Sequence, residues 1–390
     1  MSASPPNGFL PYGRQCIDDD DIRAVSESLR GDYLTTGPKV AEFEEILCQK
    51  TDAKYAVALN NGTTALHLAC LAAGLKEGDV AIVPTVTFLA TANGARYCGA
   101  DVVFADVDPD TGLMTGETLQ AALKEANGKA KAVLPVHLAG QCVDLELIKE
   151  IADRNNLKII TDTCHALGSE YSVNGKWQKA GSCAIEDLAT FSFHPVKTIA
   201  MGEGGAITTN DNEVATRLKR LRHHGMQARP DIAPWVYEMP ELGYNYREPD
   251  ILCALGISQM KKLDQFLERR AELVALYNKQ IARLAPYILP PKIISKGKVG
   301  WHLYAARIDF AALGITRKTL MEKLKERGIG TQVHYIPVHT QQYYAGLYGT
   351  KVLQGAQTYY ERTLSLPLFP TMKDEDVLYV VEQLEQCLKA

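Results

Sequence analysis

Short apolar segments alternate with helical patterns along the chain from about residue 50 to about residue 210. The segments of β-strand type are Tyr55–Leu59, Val80–Pro84, Asp101–Asp106, Ala132–Val136 and Leu157–Asp162. Patterns with helical spacing lie between them at Ala65–Leu75, Gly116–Ala126 and Val143–Asn155. Because such alternation is typical of βαβ units, the sequence predicts an α/β domain with a mainly parallel sheet.

The segments outside this region predict an N-terminal helical addition and a second, smaller domain. Helical spacing occurs at Ile17–Leu29, Val40–Cys48, Glu213–His224, Pro249–Leu284, Arg317–Arg327 and Asp374–Leu388. Strand-like segments occur at Trp301–Ile308 and Val333–Val338, and Trp235–Arg247 has the composition of a loop. We therefore predict a disordered lead-in over 1–8, a large α/β domain over 9–248, and a bridging helix with a small α+β domain over 249–390.

Composition excludes several classes of function. A net charge of −4 with scattered basic residues gives no electrostatic case for nucleic-acid binding. No apolar run reaches the ~18 residues of a membrane span, and residues 1–10 lack the features of a signal peptide. The nine cysteines form no CxxC pair, and we find no metal-ligand pattern. Scattered single cysteines predict reduced thiols and a cytoplasmic location.

The stretch from Thr190 to Asn210 contains one lysine, Lys197, ahead of the glycine-rich turn GEGG. A buried lysine amine titrates at lower pH and becomes a nucleophile suited to Schiff-base chemistry. The alternative is a surface lysine that precedes a glycine hairpin, and local composition alone favours that alternative.

A second candidate feature follows the first strand, where Gly62, Thr63 and Thr64 precede a helix. Free backbone N–H groups and hydroxyls at a helix N-terminus attract a phosphate. The alternative is an ordinary N-cap formed by Thr63 or Thr64. The stretch matches neither the GxGxxG nor the GxxxxGK[ST] fingerprint.

Three further residues are candidates for the same site. Asp162 ends an apolar strand, at the edge where α/β sheets bind ligands, although it could instead cap the next helix. His165 follows three residues later and is either structural or part of the site. Phe88 is either a core aromatic or a ring that stacks on a planar ligand. Pyridoxal 5′-phosphate would use the lysine, aspartate, phosphate cradle and aromatic ring together.

Eight motifs carry a family resemblance that covers about residues 9–388. They are LTTGP (34–38), NNGTTALHLA (60–69), TVTFLATAN (85–93), PVHLAGQ (135–141), DTCHALG (162–168), SFHPVKTIAMGEGG (192–205), LGYNYR (242–247) and VHYIPVH (333–339). With these motifs the sequence resembles the DegT/DnrJ/StrS sugar aminotransferases, pyridoxal-phosphate enzymes of fold type I. Two departures bear on substrate choice: Ala200-Met201 before GEGG, and Thr163-Cys164 where Ala-Ala is frequent.

The resemblance implies a role for each candidate residue. Lys197 would form the covalent link to the cofactor, Asp162 would pair with its ring nitrogen, and His165 would lie near its hydroxyl. Phosphate contacts would come from Gly62, Thr63, Thr64 and Ser192, a stacking ring from Phe88, and a contact across a dimer interface from Asn245. The residues that match the sugar-nucleotide pocket are Tyr12, Leu34, Thr35, Thr36, Gly37, His334, Tyr335, Ile336 and Pro337.

The implied reaction moves the amino group of L-glutamate to the 4-keto carbon of a UDP-linked 4-keto-6-deoxy-N-acetylamino sugar. The implied assembly is a homodimer with shared active sites. Three alternatives remain: another nucleotide sugar or keto position, a pyridoxal-phosphate sugar dehydratase, and a non-catalytic regulator. In the dehydratases histidine characteristically replaces the lysine, so Lys197 counts against the second alternative.

Overall fold

The computed structural model describes residues 8–294 and 297–389. Most of the predicted lead-in over 1–8 lies outside them. The helices are α1 Asp19–Arg30, α2 Pro38–Thr51, α3 Gly62–Ala72, α4 Leu89–Tyr97, α5 Gly116–Ala126, α6 Leu145–Arg154, α7 Asn212–Leu221, α8 Asp250–Lys261, α9 Leu263–Ile281, α10 Arg317–Glu326, α11 Gln342–Tyr348, α12 Gln354–Arg362 and α13 Asp374–Lys389.

Fourteen strands accompany these helices within the described ranges. They are β1 Tyr55–Leu59, β2 Val80–Pro84, β3 Asp101–Ala105, β4 Ala130–Val133, β5 Lys158–Asp162, β6 Glu170–Val173, β7 Lys176–Lys179, β8 Leu188–Ser192, β9 Gly205–Thr209, β10 Gln227–Ala228, β11 Tyr237–Glu238, β12 Ile288–Leu289, β13 Tyr304–Ile308 and β14 Thr363–Leu366.

A seven-stranded sheet in the order β1-β9-β8-β5-β4-β2-β3 forms the centre of the large α/β part. Six strands run in one direction, and β9 alone is antiparallel to its neighbours. The sheet and its helices bury the largest cluster of apolar side chains. The predicted α/β fold with a mainly parallel sheet is thus confirmed. The parallel arrangement also brings the carboxyl ends of β1, β2, β5 and β8 to one edge.

The C-terminal part contains a three-stranded antiparallel sheet, β12-β13-β14, packed with α9, α10 and α13. Leu10, near the other end of the chain, belongs to the same apolar cluster. Its backbone N–H donates to the Gly328 carbonyl at 2.9 Å, and its carbonyl accepts from the Gly330 N–H at 2.7 Å. The N-terminal segment is therefore anchored on the C-terminal part of the fold. The boundaries at 9–248 and 249–390 stay predictions.

The predicted single helix Pro249–Leu284 is wrong, because α8 ends at Lys261 and α9 begins at Leu263. Lys262 lies between them, and its amine contacts Asp18 at 2.8 Å and Asp21 at 2.6 Å. These ion pairs tie the junction of the two helices to the start of α1. Periodicity could not show the break, since apolar spacing continues through it.

The predicted strand Val333–Val338 is also wrong. Within residues 332–338 only Gln332 pairs with β14, through two backbone hydrogen bonds to Ser365. The Val338 N–H instead donates to the Thr85 carbonyl at 2.8 Å, at the end of β2. The segment thus leaves the small sheet and crosses to the large one, so its side chains can face the space between them. No described helix is long and apolar enough to cross a membrane.

Candidate active site

A cavity of about 910 Å³ opens at the edge where β1, β2, β5 and β8 end. The segment 332–336, which crosses between the two sheets, forms its opposite wall. Twelve of the predicted site residues line it: Tyr12, Gly62, Thr63, Thr64, Phe88, Asp162, His165, Ser192, Lys197, His334, Tyr335 and Ile336. Residues far apart in sequence are therefore brought together at one cavity, and their roles there stay predictions.

Lys197 lies in the loop between β8 and β9 and is half-buried in the cavity wall. Among the described residues no hydrogen bond or ion pair holds its amine. Burial lowers the pKa of the Lys197 ammonium, and nearby Cys164 and Asp162 only partly oppose that shift. A larger neutral fraction makes this amine a better nucleophile and base than a surface lysine.

Asp162 ends β5 with its carboxylate buried against α4. One oxygen accepts a hydrogen bond from the Thr91 hydroxyl at 2.7 Å, and the other from the Cys164 N–H at 3.1 Å. The Thr91 hydroxyl is itself 2.8 Å from that of Thr87. A carboxylate has about four acceptor positions, so Asp162 keeps capacity for a ligand in the cavity.

The N-terminus of α3 forms another part of the cavity wall. Asn61 caps this helix by accepting the Thr64 N–H at 2.9 Å, so a cap by Thr63 or Thr64 is excluded. The N–H groups of Gly62 and Thr63 have no partner among the described residues. A Cβ on Gly62 would lie 2.8 Å from the Cβ of Ser192. Glycine thus lets the helix approach β8 and leaves donors for an anion.

His165 is buried and both of its ring nitrogens are engaged. Nδ1 lies 3.3 Å from the Ala139 backbone nitrogen, and Nε2 lies 3.1 Å from the Tyr335 hydroxyl. Burial, followed by the charge of Lys197, lowers the pKa of His165 well below its ordinary value. The imidazole is therefore neutral at physiological pH.

The other aromatic groups of the cavity differ in exposure. Phe88 is 56% exposed, and its ring centroid is 6.1 Å from that of Tyr335. It is therefore open to a planar ligand rather than a core aromatic. His334 is buried beside Tyr12 and contacts the Ser365 hydroxyl at 2.8 Å. Burial lowers the pKa of His334 to about 3.

Six predicted site residues do not line the cavity: Leu34, Thr35, Thr36, Gly37, Asn245 and Pro337. Leu34 is 49% exposed, and the Gly37 N–H donates to Asp250 at 2.7 Å. Asn245 is exposed, and its backbone pairs with that of His223. The role of Asn245 in a neighbouring subunit's site stays a prediction.

Sequence reasoning missed Thr91 and His302. His302 lines the cavity with its ring centroid 4.4 Å from that of His165, and its buried Nδ1 has no hydrogen-bond partner among the described residues. His302 falls within the predicted strand Trp301–Ile308, just before β13, and nothing in that pattern pointed to the site. Thr91 carried a weak signal, because Thr87 and Thr91 have helical spacing beside the candidate Phe88.

A sequence profile described as the DegT/DnrJ/EryC1/StrS aminotransferase family matches residues 15–385 of the chain. The chain belongs to this family. This aminotransferase is 40% identical over 381 residues to the UDP-4-amino-4,6-dideoxy-N-acetyl-beta-L-altrosamine transaminase of Campylobacter jejuni, with 98% of each chain covered. It is 38% identical over 391 residues to the spore coat polysaccharide biosynthesis protein SpsC of Bacillus subtilis, again with 98% of each covered.

Solved structures agree with this assignment. Helicobacter pylori PseC, an aminotransferase of pseudaminic acid biosynthesis, superposes with a TM-score of 0.90 at 31% identity, covering 98% of this chain and 99% of PseC. The PLP form of the sugar aminotransferase Spr1654 from Streptococcus pneumoniae gives a TM-score of 0.88 at 29% identity, with 98% and 99% covered. The predicted family, fold type and enzyme class are confirmed, as is the pyridoxal-phosphate cofactor.

The cavity of this aminotransferase fits pyridoxal phosphate. Lys197 offers an amine with a lowered pKa, and Asp162 offers a carboxylate with free acceptor capacity. The close approach of Gly62 to Ser192 leaves the unpaired N–H groups of α3 available to a phosphate. These residues would hold the aldehyde, the ring nitrogen and the phosphate of the cofactor.

Proposed function

We propose that this enzyme moves the amino group of L-glutamate to the 4-keto carbon of a UDP-linked 4-keto-6-deoxy-N-acetylamino sugar, as in pseudaminic acid biosynthesis. The observation that carries the proposal is the 40% identity, over nearly all of both chains, to the Campylobacter jejuni transaminase. The structural likeness to PseC supports the same substrate class.

The chain's own residues supply proton transfer and electrostatic stabilisation in this proposal. When bound, pyridoxal phosphate supplies an aldehyde that condenses with amines and a ring that accepts electrons. The Lys197 amine accepts the α-proton of glutamate in the first half-reaction. In the second, it donates a proton to C4 of the sugar. Asp162 stabilises positive charge at the ring nitrogen in both.

The substrate is held, in our proposal, by both subunits of a homodimer. Tyr12, His334, Tyr335 and Ile336 line the cavity from their own chain. The exposed residues Leu34–Thr36 and Asn245, together with half-buried Gly37, serve the neighbouring subunit's site in this proposal. The side chains that precede Asn245 support an interface here, because Trp235 is 79% exposed and Leu242 is 75% exposed.

We also propose that the enzyme works in the cytoplasm. All nine cysteines are free thiols, which suits a reducing compartment.

Two measurements test the proposed reaction. Glutamate alone should bleach the yellow holoenzyme, with one equivalent of 2-oxoglutarate formed per site. In Lys197→Ala, the rate of this half-reaction should fall by about 10²–10⁴-fold or more. The glutamate-loaded enzyme is then offered 4-keto and 3-keto sugars linked to UDP or dTDP, and products are identified by mass spectrometry. Lys318→Ala, a change on an exposed lysine, is the control.

The outcomes separate the alternatives. Amination of the UDP-linked 4-keto sugar at the highest kcat/KM supports the proposal, whereas preference for another nucleotide or keto position replaces its substrate. Loss of the sugar hydroxyl without a new amine would indicate a dehydratase. Failure of the glutamate half-reaction in a cofactor-loaded protein would indicate a regulator.

A further inference from the structure

The proton on His165 can be assigned from its neighbours. The Ala139 N–H can only donate, so Nδ1 of His165 is the acceptor of their 3.3 Å contact. The Ala139 peptide is held in place, since its carbonyl accepts the His302 N–H at 3.2 Å. The neighbouring Gly140 packs so closely on Gly300 that an added Cβ would lie 2.2 Å from the Gly300 carbonyl oxygen. The donor that faces Nδ1 is therefore fixed.

A neutral imidazole carries one proton, and with Nδ1 accepting, that proton is on Nε2. The Nε2–H accordingly donates to the Tyr335 hydroxyl oxygen across 3.1 Å. His165 is neutral because it is buried and lies near Lys197. The Ala139 N–H thus donates to His165, and His165 donates to Tyr335, which lines the cavity.

The hydroxyl of Tyr335 must then direct its own hydrogen elsewhere. Burial raises the pKa of Tyr335 well above its ordinary value, so the phenol stays protonated. Nε2 already carries a hydrogen and cannot accept another. No other hydrogen bond to this hydroxyl occurs within residues 8–294 and 297–389, and Tyr335 lines the cavity.

We propose that Tyr335 is a catalytic hydrogen-bond donor to a negatively polarised ligand oxygen, and that His165 acts through it as a positioning residue. The inference rests on the proposed function for the identity of the ligand. Two oxygens have the required chemistry: the ring hydroxyl oxygen of pyridoxal phosphate and the keto oxygen of the sugar. The resemblance implied that His165 lies near the cofactor hydroxyl. In this proposal His165 instead contacts Tyr335, and Tyr335 contacts the ligand oxygen.

Tyr335→Phe tests the donor because it removes the hydroxyl and keeps the ring beside Phe88 and His165. Tyr344→Phe is the matched control, since the Tyr344 hydroxyl is bound to Asn93 at 2.7 Å outside the cavity. The first measurement is the spectroscopic pKa of the cofactor in the holoenzyme without substrate. The second is the rate of each half-reaction, followed separately by stopped-flow absorbance.

The two possible acceptors give different results. If the acceptor is the cofactor ring oxygen, Tyr335→Phe raises the spectroscopic pKa by about one unit, because its deprotonated form loses a donor. If the acceptor is the sugar oxygen, that pKa is unchanged, and only the keto-sugar half-reaction slows, by about 10- to 100-fold. Values equal to those of Tyr344→Phe in both measurements would overturn the inference.

A double-mutant cycle tests the role of His165. His165→Leu leaves the Tyr335 hydroxyl without its fixed donor, so we expect the affected quantity to change in the same direction as in Tyr335→Phe. If His165 acts through Tyr335, adding His165→Leu to Tyr335→Phe changes that quantity no further. Fully additive effects would overturn the positioning role. Failure of the substrate proposal would leave the holoenzyme titration and the glutamate half-reaction intact, so the two failures are distinguishable.

Discussion

Single residues set the charge of the cavity, and Asp162 is one whose orientation is fixed by hydrogen bonds. The Thr91 hydroxyl and the Cys164 N–H fix one hydrogen bond to each carboxylate oxygen. This arrangement orients the carboxylate without neutralising it, because neither donor is charged. Its negative charge therefore remains available to a protonated ring nitrogen.

Asp162→Asn should separate this charge from the hydrogen bonds. The amide can still accept from Thr91, but it cannot stabilise a positive ring nitrogen in a low-dielectric site. We expect the glutamate half-reaction to slow by about 10²–10³-fold while the cofactor stays bound. Stopped-flow absorbance measures the rate, and cofactor content is measured after gel filtration. A rate within a few-fold of wild type would return Asp162 to a structural role.

Glu248 is a second unusual carboxyl group, and it lies outside the cavity lining. Both of its oxygens are buried without hydrogen-bond partners among the described residues. Burial, with a smaller effect from Glu203, raises the pKa of Glu248 to about 9 from 4.5. The folded chain therefore binds this proton more tightly than the unfolded chain does.

The raised pKa predicts a pH-dependent stability. The contribution of the protonated group is fully present below about pH 4.5 and is lost as pH rises toward 9, at up to ~1.4 kcal/mol per pH unit. Glu248→Gln should remove this slope and unfold at higher urea than wild type near pH 8. The exposed change Glu322→Gln is the control. Equal slopes for wild type and Glu248→Gln would mean that the carboxylate is ionised in the folded protein.

Residues with a distinctive local pattern could be placed in the cavity from the sequence, and their roles there stay predictions. Lys197 stands beside glycines, and Asp162 stands at a strand end, so each carries a signal within a few positions. The residues that contact a site residue from distant parts of the chain carry no such local signal. His302 and Tyr335 contact His165 because segments of the C-terminal part pass the edge of the large sheet where the strands end. The residues near His165 in sequence give no indication of these contacts.

At the scale of elements, the close approach of α3 to β8 shapes the part of the cavity that is predicted to hold the cofactor phosphate. Gly62→Ala would place a methyl group 2.8 Å from the Cβ of Ser192, so the helix or the strand must shift. We expect the affinity for pyridoxal phosphate to fall about 10-fold or more, since overpacking costs ~1–3 kcal/mol. Equilibrium dialysis of the apoenzyme against the cofactor measures the change.

Gly346→Ala provides the control for this prediction. Gly346 lies in α11, and a Cβ there would meet no atom within 4 Å. This variant should bind the cofactor as wild type does. Unchanged affinity in Gly62→Ala would show that α3 does not hold the phosphate.

The elements that local patterns failed to predict are the ones that tertiary partners decide. Five strands and six helices of the large α/β part followed from apolar spacing, within a few residues of their ends. The break at Lys262 and the irregular path at 333–338 did not, because distant groups determine them: Asp18 and Asp21 for the first, Thr85 for the second. Propensity is a weak guide where such contacts compete with it.

For the whole molecule, the strongest prediction concerns sharing of sites between subunits. Asn245 is exposed in the single chain and lies outside the cavity lining, as a residue that serves a neighbour would be. A two-fold interface is self-complementary, so each dimer would hold two mixed sites. Lys197→Ala and Asn245→Ala should therefore complement each other, provided that each homodimer is inactive or nearly so.

In the hybrid dimer one site would have both the Lys197 amine and the Asn245 side chain, and the other site would have neither. Activity should return on mixing, to as much as about half of the wild-type rate per hybrid dimer. Pull-down through a tag on one variant shows that subunits have exchanged. If exchange occurs and activity does not return, Asn245 serves its own chain, and the shared-site proposal fails.

The backbone bonds between Leu10 and residues 328–330 have a consequence for synthesis. A ribosome releases the N-terminal segment early, but its partners emerge only when the chain is nearly complete. In stalled nascent chains that lack residue 328, we expect proteases to cut near Leu10; protection at that stage would contradict this order. The first described segment to be synthesised is thus among the last to pack into the fold. Until it does so, the apolar surface that it covers is open to chaperones.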